Sequence, residues 1–235
     1  MTRVEQIGDC TLYLGDCRSI IPELEFDSVI TDPPYGIEAL VGGYGRDGRT
    51  IANDTNLDAC AEALGLCGAH ITCGWIAAFY SCRVSDLFFE TLRGRGLTYV
   101  GEIIWDKKAP GMGGPIRYQH ENVALFSVGK PEPLGACFSV IQDYRSADVH
   151  PHQKPLGIMG RLCEIVGTGT VLDPFMGSGT TGVAAVKEGR PFIGIEIDET
   201  HFETACRRIR DAVAQPRFDV APRRVEQSSL LGALG

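Results

Sequence analysis

Two short stretches of this chain carry residue types that could do chemistry together. Asp32-Pro33-Pro34-Tyr35 ends an apolar run, Ser28-Val29-Ile30-Thr31, that reads as a strand. A carboxylate, a rigid turn and an aromatic face then meet at the carboxyl end of a strand, where open α/β sheets bind ligands. Pro33 and Pro34 fix φ and lack N–H groups, so their carbonyls can face outward with no ladder to complete. An acceptor pair beside a ring suits an amino group on a flat heterocycle. The Asp32 carboxylate and the Pro33 carbonyl would each take one N–H, while Tyr35 stacks. Such a nitrogen is a weak nucleophile because its lone pair is delocalised into the ring. Both acceptors gain strength as it turns cationic during attack, which favours the transition state over the ground state. The plain alternative is a surface turn with a packing tyrosine, since turns favour Asp and Pro for local reasons.

The second stretch is Thr170-Val171-Leu172-Asp173-Pro174-Phe175-Met176-Gly177-Ser178-Gly179-Thr180-Thr181-Gly182, a strand, a glycine turn and a helix running to about Lys187. Gly177, Gly179 and Gly182 satisfy G-x-G-x-x-G, and Glu196 follows Gly177 by 19 residues at the end of the strand Phe192-Ile193-Gly194-Ile195. A tight turn, a close backbone approach and an acid for ribose hydroxyls describe a nucleoside pocket. Asp173 argues against NAD or FAD, because its carboxylate would stand near a pyrophosphate. A ligand with an ammonium and a sulfonium would be stabilised there. The turn also lacks the Gly-Lys-Ser/Thr ending of a P-loop. A nicotinamide-dependent oxidoreductase and a non-catalytic nucleotide module remain the alternatives of another class.

The elements that must position these stretches alternate between strand and helix. Thr11–Leu14 reads as a strand, with a short helix near Ser19 to Leu24. Leu57 to Leu66 and Val84 to Arg93 have helical spacing, the latter with Leu87, Phe88 and Leu92 on its core face. Trp75 to Tyr80 is a buried strand. Leu97 to Asp106 and Glu121 to Val128 form an antiparallel hairpin at one sheet edge, joined by the Gly/Pro-rich Ala109 to Pro115. Helices over Leu156–Val166 and Glu199–Val213 complete the pattern. The order predicts an α/β fold, a doubly wound, mostly parallel sheet with right-handed crossovers. A single domain is expected over residues 1–215, with a mobile loop at 36–56 and a flexible tail at 216–235.

Composition narrows the setting. A chain of 235 residues can bury one α/β core, and no stretch reaches the roughly 18 apolar residues of a membrane span. Its first residues carry no apolar signal core. Nine scattered cysteines without a C-x-x-C pair argue for free thiols in a reducing cytoplasm, and against zinc or a disulfide framework. The net charge of −8 comes from residues 1–62, which hold 12 acidic and 4 basic residues; the remainder is balanced at 18 of each sign. Patch geometry rather than net charge decides backbone contact, so a nucleic-acid partner is compatible with this balance.

With His150-Pro151-His152-Gln153-Lys154-Pro155, the two blocks resemble the amino-methylating DNA methyltransferases. The Asp-Pro-Pro-Tyr block precedes the glycine block, as in the β-class circular permutation, and the resemblance spans nearly everything from Leu12 to Ile209. It implies a seven-stranded Rossmann-like sheet with one antiparallel hairpin, S-adenosyl-L-methionine as cofactor, and DNA as partner. Methyl would pass to adenine N6, or alternatively cytosine N4, of a flipped-out base. Aspartate at position 32 tilts the choice toward adenine. RNA and protein-amide methylation are more distant readings.

By the same resemblance, Asp32, Pro33, Pro34 and Tyr35 are catalytic. Asp173 takes the methionine ammonium, directly or through water, Lys154 lies near the methionine carboxylate, and Glu196 takes the ribose. Phe175, Gly177, Ser178, Gly179, Thr180 and Thr181 line the cofactor turn. Asp16 would accept from the cofactor's adenine, with Cys17 beside it; capping a helix from Arg18 onward is the other use of Asp16. Arg46 and Arg49 in the loop, and Lys107, Lys108, Arg117 and His120 around the hairpin, are DNA-contact candidates. Residues 131–149 leave a short target-recognition region. Relatives of this class often dimerise, so a homodimer is one assembly the resemblance allows.

Overall fold

The computed structural model describes residues 2–35, 57–108, 117–132, 134, 138–143 and 154–215. The loop with Arg46 and Arg49, the Ala109 to Pro115 connection, His150 to Gln153 and the tail lie outside the described residues.

The strands are β1 (Arg3–Ile7), β2 (Cys10–Leu14), β3 (Ser28–Thr31), β4 (Gly74–Tyr80), β5 (Thr98–Asp106), β6 (His120–Val128), β7 (Val140–Gln142), β8 (Val171–Asp173) and β9 (Phe192–Glu196). The helices are α1 (Cys17–Ile20), α2 (Asp58–His70), α3 (Ser85–Leu92), α4 (Leu156–Ile165), α5 (Thr180–Lys187) and α6 (Glu199–Ala214). All described strands join one sheet in the order β1-β2-β9-β8-β3-β4-β6-β5-β7. From β2 to β4 the pairing is parallel, β6 runs antiparallel to both β4 and β5, and β7 is parallel to β5. The expected doubly wound α/β sheet is therefore present, extended by two short edge strands, β1 and β7. Neither has an apolar run to announce it: β1 is largely exposed, and β7 is three residues long.

The central strands read as they are buried. All seven residues of β4 and all four of β3 are inside, as strands covered on both faces require. One face packs α4, α5 and α6 against a core that includes Ile158, Leu162, Val183, Phe202 and Ile209. The other packs α1, α2 and α3 over Ile20, Leu64, Phe88 and Leu92. In α6, Phe202, Ala205, Cys206 and Ile209 recur on one stripe, and Asp198 caps the first turn by accepting from the His201 N–H at 2.9 Å.

Two helical expectations need adjustment. Helix α2 continues past Leu66 to His70 through Gly65 and Gly68. A Cβ on Gly68 would stand 2.6 Å from the Leu97 side chain, so this glycine permits close packing within the helix. On α3, Phe88 and Leu92 are buried as expected, while Leu87 is 49% exposed.

Chain direction decides where ligands can go. From β8 the chain steps outward to β9, and from β3 it steps the other way to β4, so the β3/β8 boundary is the topological switch point. The carboxyl ends of β2, β9, β8, β3, β4 and β5 share one edge with the start of β6.

The second glycine of the G-x-G-x-x-G turn shows how tightly this edge is built. Gly179 has φ +80°, and a Cβ there would sit 2.8 Å from that of Ala205 on α6. Gly179→Ala should lower the unfolding free energy by about 1–3 kcal/mol in urea titrations, from strained backbone and overpacking together.

Candidate active site

Two turns leave the neighbouring strands β3 and β8. Thr31, the last residue of β3, donates its hydroxyl to Asp173 Oδ1 at 2.8 Å. Asp173 Oδ1 also accepts from the Phe175 N–H at 3.1 Å, and Oδ2 accepts from the Thr181 hydroxyl at the start of α5. The carboxylate is 2% exposed and tied to β3, to its own turn and to a helix. These three donors leave one lone pair on Oδ2, so the carboxylate can still take an ammonium, directly or through water. A buried carboxylate needs such partners, and the fold supplies them from inside. Burial pushes its pKa up to about 7, against the pull of the two hydroxyls and the N–H.

On the β3 side, Asp32 stands between two donors. The Tyr35 hydroxyl donates to Oδ1 and the Lys154 ammonium to Oδ2, each at 2.6 Å. Burial, then the Asp32 charge, holds the Tyr35 phenol above its ordinary value, so it remains a donor. Lys154 also reaches the Tyr35 oxygen at 3.3 Å and Glu121 Oε2 at 3.0 Å, and lies 4.8 Å from the centre of the Phe79 ring. The ammonium donates to Asp32 and Tyr35 and is ion-paired with Glu121. Lys154 thus stands at the acceptor turn, against Asp32 and Tyr35. Prolines 33 and 34 have no N–H to donate, so the backbone of this turn offers only carbonyl acceptors there.

On the β8 side, Gly177 takes φ +51°, and nothing lies within 4 Å of where its Cβ would stand, so the turn opens onto free space. Its N–H donates to Glu196 Oε2 at 2.8 Å, while Oε1 accepts from the N–H groups of Ile197 and Asp198. Burial raises the Glu196 pKa. Oε2 keeps a second lone pair, so the group can still accept from a hydroxyl. Ile197, 48% exposed, adds an apolar surface beside it. The donor set and the open turn fit a nucleoside. Gly182 serves packing instead: a Cβ there would meet Phe192 and Ile209 at under 3 Å. Phe175 packs on the core, and Thr180 and Thr181 are buried at the helix start.

Asp16 lies one strand further along. The Gly15 N–H donates to the Glu196 carbonyl at 2.8 Å, which draws this turn to the same edge. The Asp16 side chain caps α1 through the Arg18 N–H at 3.0 Å and pairs with the Arg18 guanidinium at 2.6 Å. The Arg18 hydrogen bond holds its carboxyl below the usual range. Cys17 is buried, and that burial pushes its thiol up to about 12.

The hairpin candidates divide. Lys107 pairs with Glu121 Oε1 at 3.4 Å, its side chain 12% exposed, and Lys108 pairs with Asp106 at 3.5 Å. Arg117 is exposed, and the His120 ring meets Tyr118 edge-on at 6.1 Å. The Arg83 guanidinium lies 5.3 Å from the centre of the same Tyr118 ring.

Sequence reasoning missed Arg83, Tyr118, Thr31 and Arg208, whose guanidinium donates to the Ser178 carbonyl and hydroxyl. Tyr118 between Arg117 and His120 was a legible signal; the others depend on contacts between distant segments. Among the described residues, no group of three His, Cys, Asp or Glu could hold a metal ion. No described helix is long and apolar enough to cross a membrane.

Raised burial of Asp173 has a measurable sign. Its pKa rises from 3.8 to about 7 on folding, so its contribution to stability is full below about 4 and is lost as pH climbs through about 7. Asp173→Asn, which keeps the neutral shape, should flatten the fall in Tm over that window. An unchanged slope would assign the pH dependence to other groups.

Comparison with known proteins gives the same direction. The N6/N4 DNA methylase family matches residues 133–207. The putative methylase YubD of Escherichia coli K12 is 31% identical over 208 residues, covering 83% of this chain and 88% of that protein. The M1.HpyAVI structure in complex with SAM superposes with a TM-score of 0.67 at 25% identity, over 85% of this chain and 99% of that one. The cytosine-N4-specific PvuII DNA methyltransferase shares the fold, with a TM-score of 0.70 at 14% identity over 86% and 87% of the two chains. With an Asp-Pro-Pro-Tyr turn and a nucleoside-type glycine turn side by side at the switch point, this chain belongs to the S-adenosyl-L-methionine-dependent DNA methylases of the N6/N4 family.

Proposed function

We propose that this chain methylates the exocyclic N6 of adenine in a flipped-out DNA base. The observation that carries this reading is the Thr31–Asp173 hydrogen bond, which fixes the two turns on adjacent strands. S-adenosyl-L-methionine, when bound, supplies an electrophilic methyl group on a sulfonium.

The chain's own residues do the rest. Glu196 accepts from the ribose hydroxyls, and the Gly177-Ser178-Gly179 backbone gives close approach, with Arg208 holding Ser178 in place. Phe175 packs below this turn, Thr180 and Thr181 start the helix behind it, and Asp16 and Cys17 border the adenine end. Asp32 and the Pro33 carbonyl accept from the two N–H bonds of the target amino group, and Pro34 keeps the turn rigid. Both acceptors interact more strongly as the nitrogen becomes cationic. Tyr35 orients Asp32 through its hydroxyl and offers a ring edge to the base. Proton loss can follow methyl transfer, so no strong base is needed.

The DNA surface is the basic and aromatic group of Arg83, Arg117, Tyr118 and His120 at the same sheet edge, together with Arg46 and Arg49. Lys107 and Lys108 are held by carboxylates and contribute less. Residues 1–215 form one methyltransferase domain, with 131–149 as its short recognition region. The same acceptor pair also fits cytosine N4, and the modified base separates the two readings.

Asp32→Ala should abolish methyl transfer while S-adenosylhomocysteine still raises Tm, because a ligand of the folded state alone must stabilise it. Near-normal turnover in that variant would remove Asp32 from the chemistry. Single-molecule sequencing of DNA from a methylation-free host expressing the chain should report N6-methyladenine. Modified cytosine would replace adenine as the target, and a midpoint raised by NAD instead would overturn the cofactor.

A further inference from the structure

We propose that Glu121 is a positioning residue for methyl transfer, acting on Asp32 through Lys154. The inference rests on Asp32 being the acceptor of the target amino group.

Glu121 enters the site from a different part of the chain than either turn. It follows His120 at the start of β6, opposite Trp105 in the β5–β6 ladder, and so stands at the sheet edge where β3 ends. Its two oxygens hold two ammonium groups: Oε1 lies 3.4 Å from Lys107 and Oε2 lies 3.0 Å from Lys154. Lys154 then donates to Asp32 Oδ2 at 2.6 Å. A row of alternating charge, Lys107, Glu121, Lys154 and Asp32, thus runs from the hairpin to the acceptor turn. Side-chain exposures of 12%, 17%, 10% and 30% place all but the last largely out of water, where charges interact strongly.

That order has a chemical consequence. An ammonium paired with Asp32 alone would neutralise it and weaken it as an acceptor for a nitrogen turning cationic. Sharing Lys154 with Glu121 commits only part of that charge to Asp32. It also fixes the ammonium from the side opposite the turn, so the Asp32 carboxylate keeps one orientation between Lys154 and the Tyr35 hydroxyl. The Lys154 pKa agrees: burial lowers it, but Asp32 and Glu121 together outweigh burial and hold the ammonium charged. Glu121 touches neither the target amino group nor the cofactor in this role.

The test measures steady-state methylation of a DNA substrate in wild type, Glu121→Gln, Glu121→Asp, Lys154→Met and the Glu121→Gln/Lys154→Met pair, with Asp32→Ala as reference. Glu121→Gln should lower kcat roughly tenfold or more, the scale of a small misplacement at the reacting centre. KM for DNA and the affinity for S-adenosylhomocysteine should stay within about twofold. Glu121→Asp keeps the charge on a shorter arm and should lose only a few-fold in kcat. In the Lys154→Met background, Glu121→Gln should cost nothing further, because its effect passes through that ammonium.

Wild-type kcat in Glu121→Gln, equal losses in the Gln and Asp variants, or fully additive losses with Lys154→Met would each overturn the proposal. If the Gln variant fails to fold, the Asp variant decides: reduced kcat at unchanged KM supports the clamp, and wild-type kcat overturns it. An inactive Asp32→Ala alongside an unaffected Glu121→Gln would sink this inference alone, whereas an active Asp32→Ala would sink the acceptor reading beneath it.

Discussion

Everything at the functional edge depends on one buried carboxylate. Asp173 sits at the end of β8, and its oxygens gather the hydroxyl of Thr31 on β3, the hydroxyl of Thr181 on α5 and the N–H of Phe175. These contacts set the distance between the acceptor turn and the glycine turn. Without such donors the burial of Asp173 would cost several kcal/mol, so the carboxylate forces its neighbours into place as much as they shelter it. The parallel pairing of β3 with β8 supplies the frame, and the polar cluster locks the two turns within it.

The remainder of the edge repeats that logic with other groups. Glu196 closes the glycine turn by accepting from Gly177 while its other oxygen gathers the N–H groups that follow β9. Asp143, just after β7, accepts from the Ile158 N–H at 3.0 Å and so caps α4, whose Pro155 offers no capping side chain. Its carbonyl receives the Trp105 indole N–H at 3.0 Å. The edge strand, the hairpin and the helix that follows Lys154 are thereby joined. Carboxylates at strand ends organise this protein's loops because loop backbone at a partly buried edge must find partners that the sheet no longer provides.

The charge distribution fits this arrangement. The acidic excess lies in residues 1–62, where Arg18 pairs with both Asp16 and Glu62. The exposed cations of the hairpin side, Arg83 and Arg117, stand beside Tyr118 and His120 at the sheet edge that carries Asp32. A chain acidic in total can thus present a basic and aromatic face where a polyanion would approach.

Local chemistry alone determined the central elements and the two turns of this protein, though not the edge strands β1 and β7. Continuous apolar runs specified β3 and β4, amphipathic spacing specified α6, and the glycines and prolines marked both loops, because each signal lies within a few residues of its consequence. The likeness of those motifs to the amino-methylating methyltransferases was legible for the same reason. Tertiary structure decided what the side chains face. Folding ties Asp173 to Thr31, Thr181 and Phe175, and Lys154 to Asp32, Tyr35 and Glu121, partners that no local pattern announces. The partners of Glu121 had no local signal, since they arise where the start of β6 lies beside the turn after β3. Burial in a low-dielectric edge makes any charge seek whichever partner the topology brings near, and sequence separation carries no information about that.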